Sequence, residues 1–140
     1  MRGIAREKIN FIYIRQPEAL GLGHAVLCAE PAIGNEAFGV ILPDDLVDAK
    51  EPVIGQLIAA REKVGGGSVL AVTNVPHEET KKYGIVGVED EQDMTSRVHS
   101  MVEKPTPEKA PSNLAVIGRY VLEPEILVLD EPTSGLDFDG

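Results

Sequence analysis

Two acidic residues, Asp44 and Asp45, stand just behind the apolar stretch 38–42 and its closing Pro43. Adjacent carboxylates repel unless a cation or hydrogen-bond donors compensate them, and magnesium is commonly held by one or two carboxylates together with substrate phosphates. Aspartate is also a favoured turn and cap residue, so a metal ligand and an ordinary turn both stay open here. A second polar pair, Glu103 and Lys104, closes the run 98–102 before Pro105. A carboxylate there could accept from sugar hydroxyls while the ammonium meets a phosphate; an exposed ion pair is the plainer alternative. Strict strand alternation would send the two side chains to opposite faces. The third place is "RQPEALGLGHAV", residues 15–26, where Arg15 and Gln16 precede a turn with Gly21 and Gly23. Two glycines so close together allow something to approach the backbone. His24, His77 and His99 show no metal-ligand spacing, and His24 is expected at the start of a helix rather than in proton transfer.

These groups need elements to hold them. Residues 9–14 form a short apolar run of the kind a strand buried on both faces shows. Apolar positions then recur at Leu22, Ala25, Val26 and Ala29, one face of a helix. "FGVILPDD" reads as a second buried strand. Pro52 suits a first helical position, Val53, Leu57, Ala60 and Val64 share a helical face, and Gly65-Gly66-Gly67 ends that helix before the strand "SVLAVTNV". The alternation predicts a mostly parallel sheet covered by helices. Beyond it, "YGIVGVED" and "SRVHSMVEKP" read as shorter strands around an acidic loop, "NLAVIGRYVL" as another, and 105–112 as a loop without regular structure. In open parallel sheets ligands sit beyond the carboxyl ends of strands, where all three polar sites fall.

The 140 residues fit a single domain, and 43% hydrophobic with 26% charged is the composition of a soluble globular protein. A net charge of -10 with scattered Lys and Arg argues against nucleic acid. The acids that do collect, in "EDEQD" at 89–93, read as a solvated loop. No apolar stretch is long enough for a membrane span and no signal-peptide core opens the chain. Cys28 is the one cysteine, which excludes an intrachain disulfide and favours a reducing, cytoplasmic setting; its neighbours suggest a buried helical thiol.

Five motifs add a resemblance. "RQPEALGLGHAVLCA", "LPDDL", "KYGI", "MVEKP" and "APSNLAVIGRYVL", in this order and spacing, resemble the bacterial UTP–glucose-1-phosphate uridylyltransferases from about Phe11 to Glu125. The resemblance implies an α/β, glycosyltransferase-A-like nucleotidyltransferase fold over 1–125. It also implies a reaction joining UTP and glucose 1-phosphate into UDP-glucose and pyrophosphate, with Mg2+ as cofactor. Gln16 looks like the residue that reads the uracil edge, with the Gly21 backbone beside it. Asp44 corresponds to a magnesium ligand and catalytic carboxylate, with Asp45 next to it. Gly84 would admit the hexose, Glu103 hold sugar hydroxyls, Lys104 meet the sugar phosphate as the second catalytic group, and Asn113 hold a further hydroxyl.

Two departures qualify this. Nothing in "MRGIAREKINFIYIRQ" matches the family's glycine-rich, Arg- and Lys-bearing triphosphate turn, so the first strand and that loop are expected to be missing. At the other end, "ILVLDEPTSGLD" in the atypical tail 126–140 resembles the Walker B and D-loop segment of ATP-binding cassette ATPases, where Asp130 and Glu131 would act. No G-x-x-x-x-G-K-[ST] loop accompanies it. The expectation is a partial transferase domain without turnover as an isolated chain. The alternatives are a non-catalytic sugar-nucleotide-binding or subunit-contact fragment and, less favoured, an ATPase fragment. A sheet edge left open would favour a homo-oligomer.

Overall fold

The computed structural model describes residues 10–91 and 94–127. Helix α1 (Leu22–Leu27) and the single turn α2 (Glu30–Ile33) precede strand β1 (Phe38–Ile41). Helix α3 (Val53–Val64) leads to β2 (Val69–Asn74), then come β3 (Gly84–Val88), β4 (Val98–Glu103) and β5 (Leu114–Leu122). Short 3-10 turns occupy His77–Lys82, Pro107–Lys109 and Pro124–Leu127, the second of them inside the stretch expected to lack regular structure.

The α/β class holds, but the strand sense needs correcting: among the described residues every strand pairing is antiparallel. The reason is β5. It lies between β1 and β2, so these two, although joined through α3 and running the same way, never touch. Sequential strands were read as neighbours, and a late strand separates them. A second correction concerns residues 10–14, which form no strand; Phe11 is 74% and Tyr13 93% exposed. None of the described strands pairs with them, and apolar content without a ladder partner does not make a strand. Pro52 stands one position earlier than expected, at the N-cap of α3. Cys28 follows α1 as its C-cap and is half-buried, not buried.

Two layers form the core. Leu57 of α3 packs on Ala71 and Val121, flanked by Val53, Ile54, Val69 and Ile117. Ile85, Val86 and Ala115 are wholly shielded where β3 meets β5. Arg61 at the end of α3 ties these layers to the end of β5: its Nε lies 3.0 Å from the Glu123 carboxylate, which also accepts from Gly67 N–H at 2.9 Å. The Arg61 and Gly67 donors hold the Glu123 carboxyl below its ordinary value of 4.5. A depressed folded value means that the tie stabilises the fold above the ordinary value and is lost as pH falls through the depressed one. Glu123→Gln is therefore expected to lower the urea midpoint at pH 7. The gap from wild type should close as the pH is lowered below 4.5, into the range where the native carboxyl protonates; an equal gap at both pH values would contradict this.

Candidate functional site

The edge of β5 facing β1 and β3 is shared by both strands. Ile41 ends β1 opposite Arg119, whereas Ile85 of β3 pairs with Ala115. Between them β5 passes through Gly118 at φ 61. β1 runs toward this point and β3 runs away from it, while β4 returns beside β3 to end with Glu103 opposite Gly84. The carboxyl end of β1 thus reaches the middle of β5, and that of β4 stands one strand away across Gly84, where the two ladders part.

A cavity of about 200 Å³ fills this notch, lined by Asp45, Lys82, Tyr83, Gly84, Glu103 and Tyr120, with Leu42, Met101, Val116 and Gly118 as its apolar floor. Gly84 is a matter of space: a β-carbon there would stand 3.0 Å from Glu103 Oε2. Lys104 leaves the strand at φ 44, with its N–H bonded to the Tyr83 carbonyl at 3.0 Å. A left-handed conformation at a residue with a side chain costs about 1 kcal/mol or more, and such strain gathers at functional sites. It also breaks the alternation expected from sequence. Lys104 Nζ comes to 3.4 Å from Glu103 Oε1, so cation and carboxylate share one side. Burial, then the charges of Glu103, Asp44 and Asp45, push the Tyr120 hydroxyl up.

The loop carrying Asp44 and Asp45 is held by a residue that sequence reasoning missed. Arg119 is 8% exposed, and its Nη1 donates to the carbonyls of Leu42 at 2.9 Å and Gly118 at 3.0 Å, while Nη2 donates to that of Asp45. All three acceptors are main-chain oxygens. An arginine inside the otherwise apolar "LAVIGRYVL" was the available signal, since a buried guanidinium demands several acceptors. Lys82, on the cavity wall with its ammonium 3.1 Å from Glu79, was missed too, although it opens "KYGI".

Asp45, Gly84 and Glu103 meet in the cavity, with Lys104 bonded at its rim and Asp44, exposed, beside Asp45. Asn113 stands outside the lining, its side-chain oxygen 3.1 Å from His77 Nδ1. Gln16 and Gly21 form a separate local cluster, with Gln16 Nε2 3.1 Å from the Gly21 carbonyl. Among the described residues no group of three or more His, Cys, Asp or Glu could hold a metal alone, and no helix is long and apolar enough to cross a membrane. Asp130 and Glu131 lie outside the described residues.

The family model for nucleotidyl transferases matches residues 2–136. The chain belongs to that family. It is 47% identical over 136 residues to a UTP–glucose-1-phosphate uridylyltransferase of Pseudomonas aeruginosa, covering 94% of this chain and 48% of that protein. The Bacillus subtilis uridylyltransferase YngB is 49% identical over 117 residues, 84% of this chain and 39% of that one. Among solved structures, a UDP-glucose pyrophosphorylase complexed with UDP-glucose superposes with a TM-score of 0.77 at 45% identity, over 84% of this chain and 45% of that chain. A UTP-bound enzyme from Acinetobacter baumannii gives 0.79 at 39% identity, over 87% of this chain and 44% of the other. The resemblance seen in the five motifs and the nucleotidyltransferase fold are both borne out. The chain spans somewhat under half the length of these nucleotidyl transferases.

Proposed function

We propose that this nucleotidyl transferase chain supplies the sugar-nucleotide part of a site that joins UTP and glucose 1-phosphate into UDP-glucose and pyrophosphate. The observation that carries the reading is the cavity at the parting of the sheet. Asp45, Gly84 and Glu103 line it, Lys104 stands at its rim, and the chain is 45% identical to a structure complexed with UDP-glucose. Glu103 would accept from hexose hydroxyls, Lys104 would meet the sugar phosphate, and Gln16 with the Gly21 backbone would contact the uracil. Asn113 is proposed for a further hydroxyl, which requires it to leave His77.

In the reaction an oxygen of the sugar phosphate bonds to the α-phosphorus of UTP as the bond to the β,γ-diphosphate breaks, and pyrophosphate leaves. The attacking oxygen is already ionised, so no protein base is needed; alignment and charge neutralisation carry the rate. Nucleotidyl transferases of this kind typically use a divalent metal, and Mg2+ held by Asp44 beside Asp45 would neutralise phosphate charge. An exposed carboxylate that leaves the remaining positions to phosphate and water suits magnesium's habit of keeping several waters. We also place the protein in the cytoplasm, and propose a homo-oligomer from the outer edge of β4, which pairs with no other strand among the described residues.

Calorimetric titration with UDP-glucose and magnesium tests the reading. Saturable binding is expected. Gly84→Ala should weaken it by roughly tenfold or more, because the added methyl crowds Glu103 Oε2 and narrows the cavity. No heat of binding at millimolar ligand, or full affinity in Gly84→Ala, would overturn it.

A further inference from the structure

The side-chain amide of Gln16 is not free to turn. Its Nε2 lies 3.1 Å from the Gly21 carbonyl oxygen and 3.0 Å from His24 Nδ1. A carbonyl oxygen only accepts, so the atom facing it must be the amide nitrogen. The same NH2 group then directs its second hydrogen at His24 Nδ1, which must accept. That makes His24 a neutral imidazole with its proton on Nε2. Nε2 in turn faces Cys28 Sγ at 3.9 Å, one helical turn further on. The half-buried cysteine acts here as an acceptor.

Reversing the amide would set Oε1 against the Gly21 oxygen, a repulsive contact, and would require His24 to move its proton from Nε2 to Nδ1. Both amide hydrogens are consumed in the observed arrangement, and Gln16 Oε1 makes no hydrogen bond among the described residues. Whatever approaches the Gln16 amide meets an acceptor.

We infer that His24 is a specificity-determining positioning residue that locks Gln16 with its carbonyl oxygen toward the base. The inference rests on the reading of Gln16 as the base contact. An acceptor favours a pyrimidine whose N3 carries a hydrogen, as in uracil. It opposes cytosine, whose N3 is itself an acceptor. The Gly21 carbonyl sets the sense of the amide, and the imidazole, accepting the second amide hydrogen, holds it there.

Two measurements test this. Long-range proton–nitrogen correlation on the chain labelled at histidine should show His24 with hydrogen on Nε2, and an Nδ1–H tautomer or an imidazolium at neutral pH would overturn the lock without any ligand. Titrations with UDP-glucose and CDP-glucose give the second readout. Wild type should prefer UDP-glucose, His24→Ala should lose roughly tenfold of that preference, as expected for one part-buried hydrogen-bond partner, and His24→Asn should restore part of it, its Oδ1 standing where Nδ1 was. If wild type binds neither ligand, the base-contact reading falls and this inference with it. If wild type discriminates and His24→Ala discriminates equally well, only the inference falls.

Discussion

Arg119→Met is expected to lower the stability of the chain by about 3 kcal/mol, since hydrogen bonds from a charged donor each contribute on the order of 1.5–3 kcal/mol and their loss leaves part-buried loop carbonyls without that donor. Methionine keeps an apolar stem of similar length, so the change isolates the guanidinium. The main-chain oxygens of Leu42 and Asp45 lose the guanidinium donor, and that of Gly118 keeps only its bond from the Leu42 N–H. Lysine should recover only part of the loss, because an ammonium lacks the planar fork that reaches β5 and the loop after β1 together. Urea unfolding would measure it, and a shift below about 1 kcal/mol would show that solvent replaces the clamp at little cost. UDP-glucose binding should fall in the same variant, because Asp45 would no longer be held at the cavity wall.

Gly118→Ala is expected to destabilise by about 3 kcal/mol, with about 1–2 from placing an L-residue at positive φ and the rest from overpacking. The added β-carbon would stand 2.9 Å from Leu42 Cβ and 3.2 Å from Leu42 Cγ and Cδ1. A Cβ is fixed to its backbone, so the chain just past β1 must move. Gly87→Ala supplies the control. Its new methyl meets Ser100 Oγ and the tip of the His99 ring, ends of side chains that can rotate away. It should cost clearly less, although Gly87 is just as buried. Equal losses in the two variants would mean that the turn in β5 is not specially constrained.

What sequence made visible, and what it did not, divides along physical lines. Helix α3 was legible because Val53, Leu57 and Ala60 repeat on one face and a proline and three glycines punctuate it. The hairpin of β3 and β4 was legible because an acidic, turn-forming loop separates two short apolar runs. The insertion of β5 between β1 and β2 was not, because pairing between strands far apart in the chain leaves no periodic trace. Exposure of residues 10–14 was hidden for a related reason: an apolar run says what a segment prefers, not whether a neighbour is there to receive it. At the site, Asp45, Gly84, Glu103 and Lys104 were recognised by motif, but their meeting point follows from where β5 turns. Arg119 escaped because its role lies in what it holds, and main-chain carbonyls carry no signature in a sequence.

That Arg119 grips only main-chain oxygens has an evolutionary consequence. The clamp is blind to which side chains the loop carries, so positions 44 and 45 can exchange one carboxylate for an amide, or a ligand for a non-ligand, without loosening the scaffold. Side chains at these two positions can therefore change by single substitutions while the loop keeps its shape. Variation at that loop is decoupled from foldability, and the residue that makes this so sits on a different strand.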